Sequence, residues 1–254
     1  MGDAKSYQDI LDGVSESQWK ALSRKKVYFG HQSVGFNIAA GIEDIMAENK
    51  NLSWNIAETE GPGKMDGPGF YHSRIGKNLD WQLKIDDFDR KMRAGIGKKA
   101  DIAFFKFCYV DITGDTDVEK IFASYRQTMQ KLQQEFPETT FFHVTTPIRI
   151  VKTSWKTRIK QLIGKDEIWE FTDNIRRHEF NELIRREYGE SGRLFDIAMA
   201  ESPRPDGSRE TFEKDGKRYE AMVPAFTDDG GHLNELGRKF VAARLLKLLA
   251  DISG

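Results

Sequence analysis

The chain has 254 residues, enough for one large α/β domain with a full core. Its hydrophobic content is 39%, its charged content 31% and its formal net charge −1, a balance that gives nucleic acid or an anionic bilayer no global attraction. No apolar run approaches the ~20 residues of a membrane span, and a single cysteine, Cys108, excludes an intrachain disulfide framework.

The polar stretch from Met1 to Leu11 lacks the charged-then-apolar pattern of a signal peptide. That points to the cytoplasm, or to a secreted or periplasmic protein from which a signal has been removed. Residues 1–24 read as a helical prefix, with Ser15 and Gln18 as a capping box ahead of Trp19 and Leu22. The first strand runs from Lys26 to Phe29. It leads into Gly30-His31-Gln32-Ser33-Val34-Gly35 and a helix whose Phe36, Ile38, Ile42 and Ile45 share a face. A second strand, Trp54 to Ala57, is followed by a glycine-rich loop containing Gly61, Gly63, Gly67, Gly69 and Gly76. The third strand, Asp101 to Phe105, precedes a helix carrying Val118, Ile121, Phe122, Tyr125, Met129 and Leu132, with Thr116 and Glu119 as its expected capping box.

A fourth strand, Thr140 to Val144, opens a basic, tryptophan-bearing insertion over residues 148–172. Ile175, Phe180, Leu183, Ile184 and Tyr188 mark the next helix, and Leu194 to Ile197 the fifth strand. Within an excursion over 206–222, Thr211 to Glu220 reads as a hairpin turning at Asp215-Gly216, a dipeptide suited to a type I′ turn. Asp229-Gly230-Gly231-His232-Leu233-Asn234 then precedes a last helix with Leu236, Phe240, Val241, Leu245 and Leu248. Five strands alternating with helices imply one domain over residues 1–254, built on a mainly parallel sheet with helices on both faces.

In such sheets ligands bind where strands end and loops enter helices. Ser33 stands at that place after the first strand, where free backbone N–H groups and the helix dipole favour negative charge. The same position also suits a plain helix cap. His232 follows Asp229 by three residues, which lets a carboxylate hold the imidazole's tautomer and stabilise its charged form. A histidine before a helix also serves as a cap or a surface residue. His31, His72, His143 and His178 show no zinc-ligand spacing, and there is no GxGxxG or GxxxxGK[ST], so neither a metal nor a nucleotide cofactor is expected.

The Asp-x-x-His block before the final helix resembles the SGNH (GDSL-like) hydrolase superfamily. So do Asn174, Phe180, Asn181 and Tyr188 leading to Phe195-Asp196, and the likeness runs from about Lys26 to Leu249. The resemblance implies a flavodoxin-like three-layer α/β/α sandwich with a five-stranded sheet. It also implies Ser33 as nucleophile, His232 as general base and acid, and Asp229 as its orienting partner. Family members carry Gly-Asp-Ser at the first block, where this chain has His31-Gln32-Ser33. A second-block glycine donates to the oxyanion, and Gly76 takes that role here, with the four preceding loop glycines as competitors. The third block, Gly-x-Asn-Asp in the family, is replaced by Lys106-Phe107-Cys108-Tyr109-Val110-Asp111.

One oxyanion donor is worth roughly 3 kcal/mol of transition-state stabilisation, so the missing Asn needs a substitute. Asn78 is the first candidate, and Tyr109 or Lys106 could serve or could position substrate. Cys108 reads as a small buried residue, with no base beside it. The activity implied is an esterase, with a small O-acyl group on a carbohydrate as the leading substrate. Arg149, Lys152, Lys156, Arg158, Lys160 and Lys165 around Trp155 suit an acidic or acylated glycan, or form the solvated face of a lid helix. Two alternatives stand beside the esterase: a glycan-binding or assembly protein that has lost hydrolysis, and an O-acyltransferase using the same three residues.

Overall fold

The computed structural model describes residues 6–49, 53–151, 169–204 and 206–254. Two short helices open it, α1 (Tyr7–Asp12) and α2 (Glu16–Leu22), each started by a serine capping box, at Ser6 and at Ser15 with Gln18. A five-stranded parallel sheet follows in the order β2-β3-β1-β4-β5. Its strands are β1 (Lys26–His31), β2 (Asn55–Glu58), β3 (Gly69–Arg74), β4 (Ile102–Phe105) and β5 (Thr140–Phe141).

Strand periodicity divides the core in two. Val27, Phe29, Phe70, Ile102 and Phe104 face one side, where they meet α1, α2, α3 (Val34–Glu48) and the C-terminal helix. Tyr28, Tyr71, Ala103 and Phe105 face the other, against α4 (Trp81–Lys91), α5 (Val118–Glu135) and α6 (Trp169–Tyr188). These are the three layers of a flavodoxin-like sandwich. Further elements include β6 (His143–Val144), β7 (Leu194–Phe195), α7 (Ile197–Glu201), the hairpin β8 (Thr211–Lys214) and β9 (Lys217–Glu220), and α8 (Glu235–Ser253). No helix among the described residues is long and apolar enough to cross a membrane.

Three expectations are corrected. The glycine-rich loop contains β3, the central neighbour of β1. Leu194 to Ile197 pairs outside the five-stranded sheet, because Leu194 and Phe195 lie in parallel on β6 and Asp196 then caps α7 through Met199 N. The cap of α5 is Asp117, which accepts from Lys120 N, while Thr116 Oγ1 accepts from Thr113 N. The hairpin forms as read, with Asp215 and Gly216 at φ 51° and 73°. Of the basic insertion, Arg149 is described, whereas Lys152, Trp155, Lys156, Arg158, Lys160 and Lys165 lie outside the described residues.

Candidate active site

The end of β1 turns sharply into α3. His31 is wholly buried, its Nε2 3.0 Å from His72 Nδ1 on β3, and burial pushes its pKa well below the usual imidazole range. The helix can start directly over this ring only because residue 35 is glycine, since a Cβ there would lie 2.2 Å from His31 Cγ. Gln32 donates through Nε2 to the carbonyls of Ile75 and Gly76, at 3.2 and 3.1 Å, and so ties this turn to the exit of β3. A carboxylate has no proton with which to make those two bonds, which gives the glutamine at this place a physical reason.

Ser33 adopts φ 46° and ψ −107°, a strained left-handed backbone for a residue with a side chain, and makes no side-chain capping bond. Its hydroxyl instead hydrogen-bonds His232 Nε2. A strand-to-helix turn of this kind lifts a nucleophile out at the sheet's carboxyl edge. Among the described residues the N–H groups of Ser33 and Val34, at the start of α3, have no backbone acceptor.

His232 comes from the loop before α8. His232 Nδ1 lies 2.6 Å from Asp229 Oδ2, while Asp229 Oδ1 accepts from the N–H groups of Gly231 and His232 at 2.9 and 2.8 Å. Slight burial works to raise the Asp229 pKa, but these hydrogen bonds outweigh it and hold the carboxyl well below its ordinary value. The loop is docked on α3, since Asn37 Oδ1 accepts from Leu233 N at 3.3 Å, and Asn234 caps α8 through Gly237 N. Ser33, His232 and Asp229 thus form one hydrogen-bonded series, with the His232 and Asp229 side chains 44% and 57% exposed.

Tyr109, from the turn after β4, joins them. Its hydroxyl lies 3.5 Å from His232 Nε2, and its ring meets the imidazole edge-on. Burial raises the Tyr109 pKa against the lowering pull of Arg149 and Arg177, so it stays a neutral O–H donor. Arg177 fixes the residue by donating from Nε to the Tyr109 carbonyl at 2.8 Å, and both guanidiniums lie over its ring, Arg149 at 5.4 Å and Arg177 at 5.7 Å.

The other expected residues are not brought to Ser33. The Gly76 N–H donates to Asp87 Oδ2 at 2.9 Å, so this amide is not offered to an oxyanion. Asn78 holds the Lys84 ammonium on Oδ1 at 3.0 Å and has no hydrogen bond to Ser33 or His232. Lys106 is wholly buried, with Nζ 3.3 Å from the Phe107 carbonyl and 3.5 Å from Cys108 Sγ, and has no hydrogen bond to Ser33 or His232. Cys108 is buried, and among the described residues no His, Cys, Asp and Glu side chains gather into a group that could hold a metal. Beyond Val110 lies an open cleft of about 340 Å³ lined by Leu79, Trp81, Asp111, Asp115 and Lys120.

A scan of protein-family models and a search of curated proteins return no match. Among solved structures, a Streptococcus pneumoniae structure named for platelet activating factor superposes with a TM-score of 0.53 at 13% identity, over 95% of each chain. That likeness extends to the fold. A lipolytic protein of the G-D-S-L family from Desulfitobacterium hafniense DCB-2 gives 0.47 at 10% identity, over 88% of this chain and 99% of that one. The periplasmic domain of a lipopolysaccharide acetyltransferase from Salmonella ser. Paratyphi A gives 0.41 at 11%, over 92% and 91%.

Proposed function

We propose that this chain is a divergent serine esterase of the SGNH (GDSL-like) superfamily that cleaves an acyl ester through an acyl-enzyme. The observation that carries the reading is the hydrogen-bonded series from Asp229 through His232 to Ser33, with Ser33 held in a strained turn at a helix start. Ser33 Oγ attacks the ester carbonyl as His232 Nε2 takes its proton, and Asp229 keeps the imidazole in the tautomer that can accept it. The oxyanion is met by the Ser33 and Val34 N–H groups, with the Tyr109 hydroxyl in place of the absent third-block asparagine. His232 then gives its proton to the departing alcohol, and water releases the acyl group by the same steps in reverse.

Water is the favoured acceptor because the histidine and aspartate stand open to solvent, whereas an acyltransferase must exclude it. The substrate class proposed is a small O-acyl group carried on a carbohydrate. Incubation with a fluorophosphonate, followed by mass mapping, tests the reading. Labelling at Ser33 that vanishes in Ser33→Ala is expected. A folded protein that takes no label would overturn the esterase in favour of a binding protein of the same fold.

A further inference from the structure

Two arginines on the segments that adjoin the Ser33 turn and the His232 loop form no ion pair among the described residues. Arg74 ends β3 directly across from His31, two residues before Ser33, and rests with its Cζ 5.0 Å from the ring centre of Phe36, three residues after it. It is exposed, and among the described residues it makes no ion pair. Arg149 follows β6 on the other side of β1, half-buried over Tyr109. Its Nε donates to the Gly230 carbonyl at 3.4 Å, its backbone N–H and carbonyl are held by Asn174, and its two terminal nitrogens have no acceptor among the described residues.

The acids near Tyr109 and Arg177 are already engaged. Asp229 serves His232 and Gly231, Asp173 serves Arg177 and the Gly114 N–H, and Glu201 accepts from Ile148 N. The packing keeps the guanidinium at the site rather than in solvent, because a Cβ on Gly231 would lie 3.1 Å from Arg149 Nε and 3.0 Å from the Tyr109 hydroxyl. An aromatic face is a modest partner for a guanidinium, whereas a planar oxyanion takes two of its N–H groups at once.

We propose that Arg74 and Arg149 form an anion-recognising pair on either side of Ser33, so that the site takes esters bearing a carboxylate or phosphate group close to the reacting carbonyl. This rests on the esterase reading and names its substrate class. The ligand shares one chemistry, an oxyanion presented to two forked donors, and both sources are tested.

The experiment compares hydrolysis of mono-p-nitrophenyl glutarate, which carries a carboxylate, with that of neutral p-nitrophenyl butyrate at pH 7.5 and constant ionic strength. In the unaltered chain the ratio of kcat/KM should favour the charged ester by about tenfold or more, and in Arg74→Gln/Arg149→Gln that ratio should fall to about one. Arg149→Lys, which keeps charge but loses the fork, should fall between them. Equal rates for the two esters in the unaltered chain, or a preference that survives in the double variant, would overturn the proposal.

Calorimetry on Ser33→Ala reads binding apart from turnover, with glutarate and inorganic phosphate as separate titrants. Binding of either anion that disappears with the two arginines supports the pair, and the tighter anion identifies the source. Absence of binding by both overturns it. If neither ester is hydrolysed and Ser33 takes no fluorophosphonate while arginine-dependent binding persists, the esterase reading fails and the anion site stands.

Discussion

Asp229→Asn alters one terminal atom of the candidate triad and leaves its surroundings in place. Asp229 Oδ1 accepts two backbone N–H groups at 2.9 and 2.8 Å, and an asparagine oxygen in that position keeps both and so keeps the loop. The amide nitrogen then replaces Oδ2, which lies 2.6 Å from His232 Nδ1. Facing a donor, the imidazole must present its lone pair at Nδ1 and carry its proton on Nε2, the atom bonded to Ser33. That nitrogen can no longer take the serine's proton. The equivalent change in Ser-His-Asp enzymes lowers kcat by about 10⁴, or about 5.5 kcal/mol of barrier. A loss of that order is expected here with p-nitrophenyl butyrate, beside an unaltered thermal melt. A loss under about tenfold, with the fold intact, would refute the assignment of Asp229 as the group that sets the tautomer.

Tyr109→Phe keeps the ring under both guanidiniums and removes only the hydroxyl, so kcat should fall by about 10²-fold with little change in KM if that hydroxyl meets the oxyanion; unchanged kcat would exclude the role. Glu201 is fully buried, and desolvation pushes its carboxyl up to about 8. The folded chain therefore keeps a proton that the unfolded chain releases above about pH 4.3, so this residue makes stability fall by about 1.4 kcal/mol per pH unit from there until it levels off above its folded value. In melts at pH 5 and 8.5, Glu201→Gln should gain on the parent at the higher pH only, and an equal gap at both would refute the linkage. Gly41→Ala places a Cβ 2.3 Å from the Arg238 carbonyl oxygen, where α3 crosses α8. It should cost about 1–3 kcal/mol in urea denaturation, and a neutral result would mean the two helices separate easily.

Much of the fold was legible because buried parallel strands and amphipathic helices declare themselves by period, as in Val27, Tyr28 and Phe29 or Ile121, Phe122 and Tyr125. β3 was concealed because it carries the polar residues His72 and Ser73 on its two buried faces and begins at a glycine beside other glycines. Those polar groups find each other only across strands, Ser73 Oγ with the Tyr28 hydroxyl at 2.6 Å and His72 with His31, which no local pattern records. The same limit applies at the site. Ser33, Asp229 and His232 were legible from short motifs, and the structure joins them. Gly76 was misplaced because its choice rested on a loop whose hydrogen bonds run to Asp87, eleven residues on. Lys106 follows a strand where a polar residue reads as exposed, yet it is wholly buried. In the sequence Arg149 is one of several basic residues, since its position over Tyr109 depends on long-range packing.

On the proposed reading Tyr109 stands in for the third-block asparagine, and its structural support begins at Asp111. This carboxylate is buried, accepts from Cys108 N at 2.7 Å and from Leu79 N at 2.9 Å, and pairs with buried Lys84 at 2.5 Å. Lys84 in turn donates to Asn78, so one ion pair gathers the loops that follow β3 and β4. A buried pair of this kind adds little net stability, since desolvation offsets much of its attraction. It does remove freedom from the backbone beside it. Cys108 is held through its N–H on one side and the Tyr109 carbonyl by Arg177 on the other, which fixes the backbone from which the Tyr109 hydroxyl comes within 3.5 Å of His232 Nε2. An asparagine reaches an oxyanion from this turn with a short side chain. A tyrosine needs its backbone fixed to deliver a hydroxyl through a longer one, and the buried charges around Asp111 and Arg177 provide that fixation.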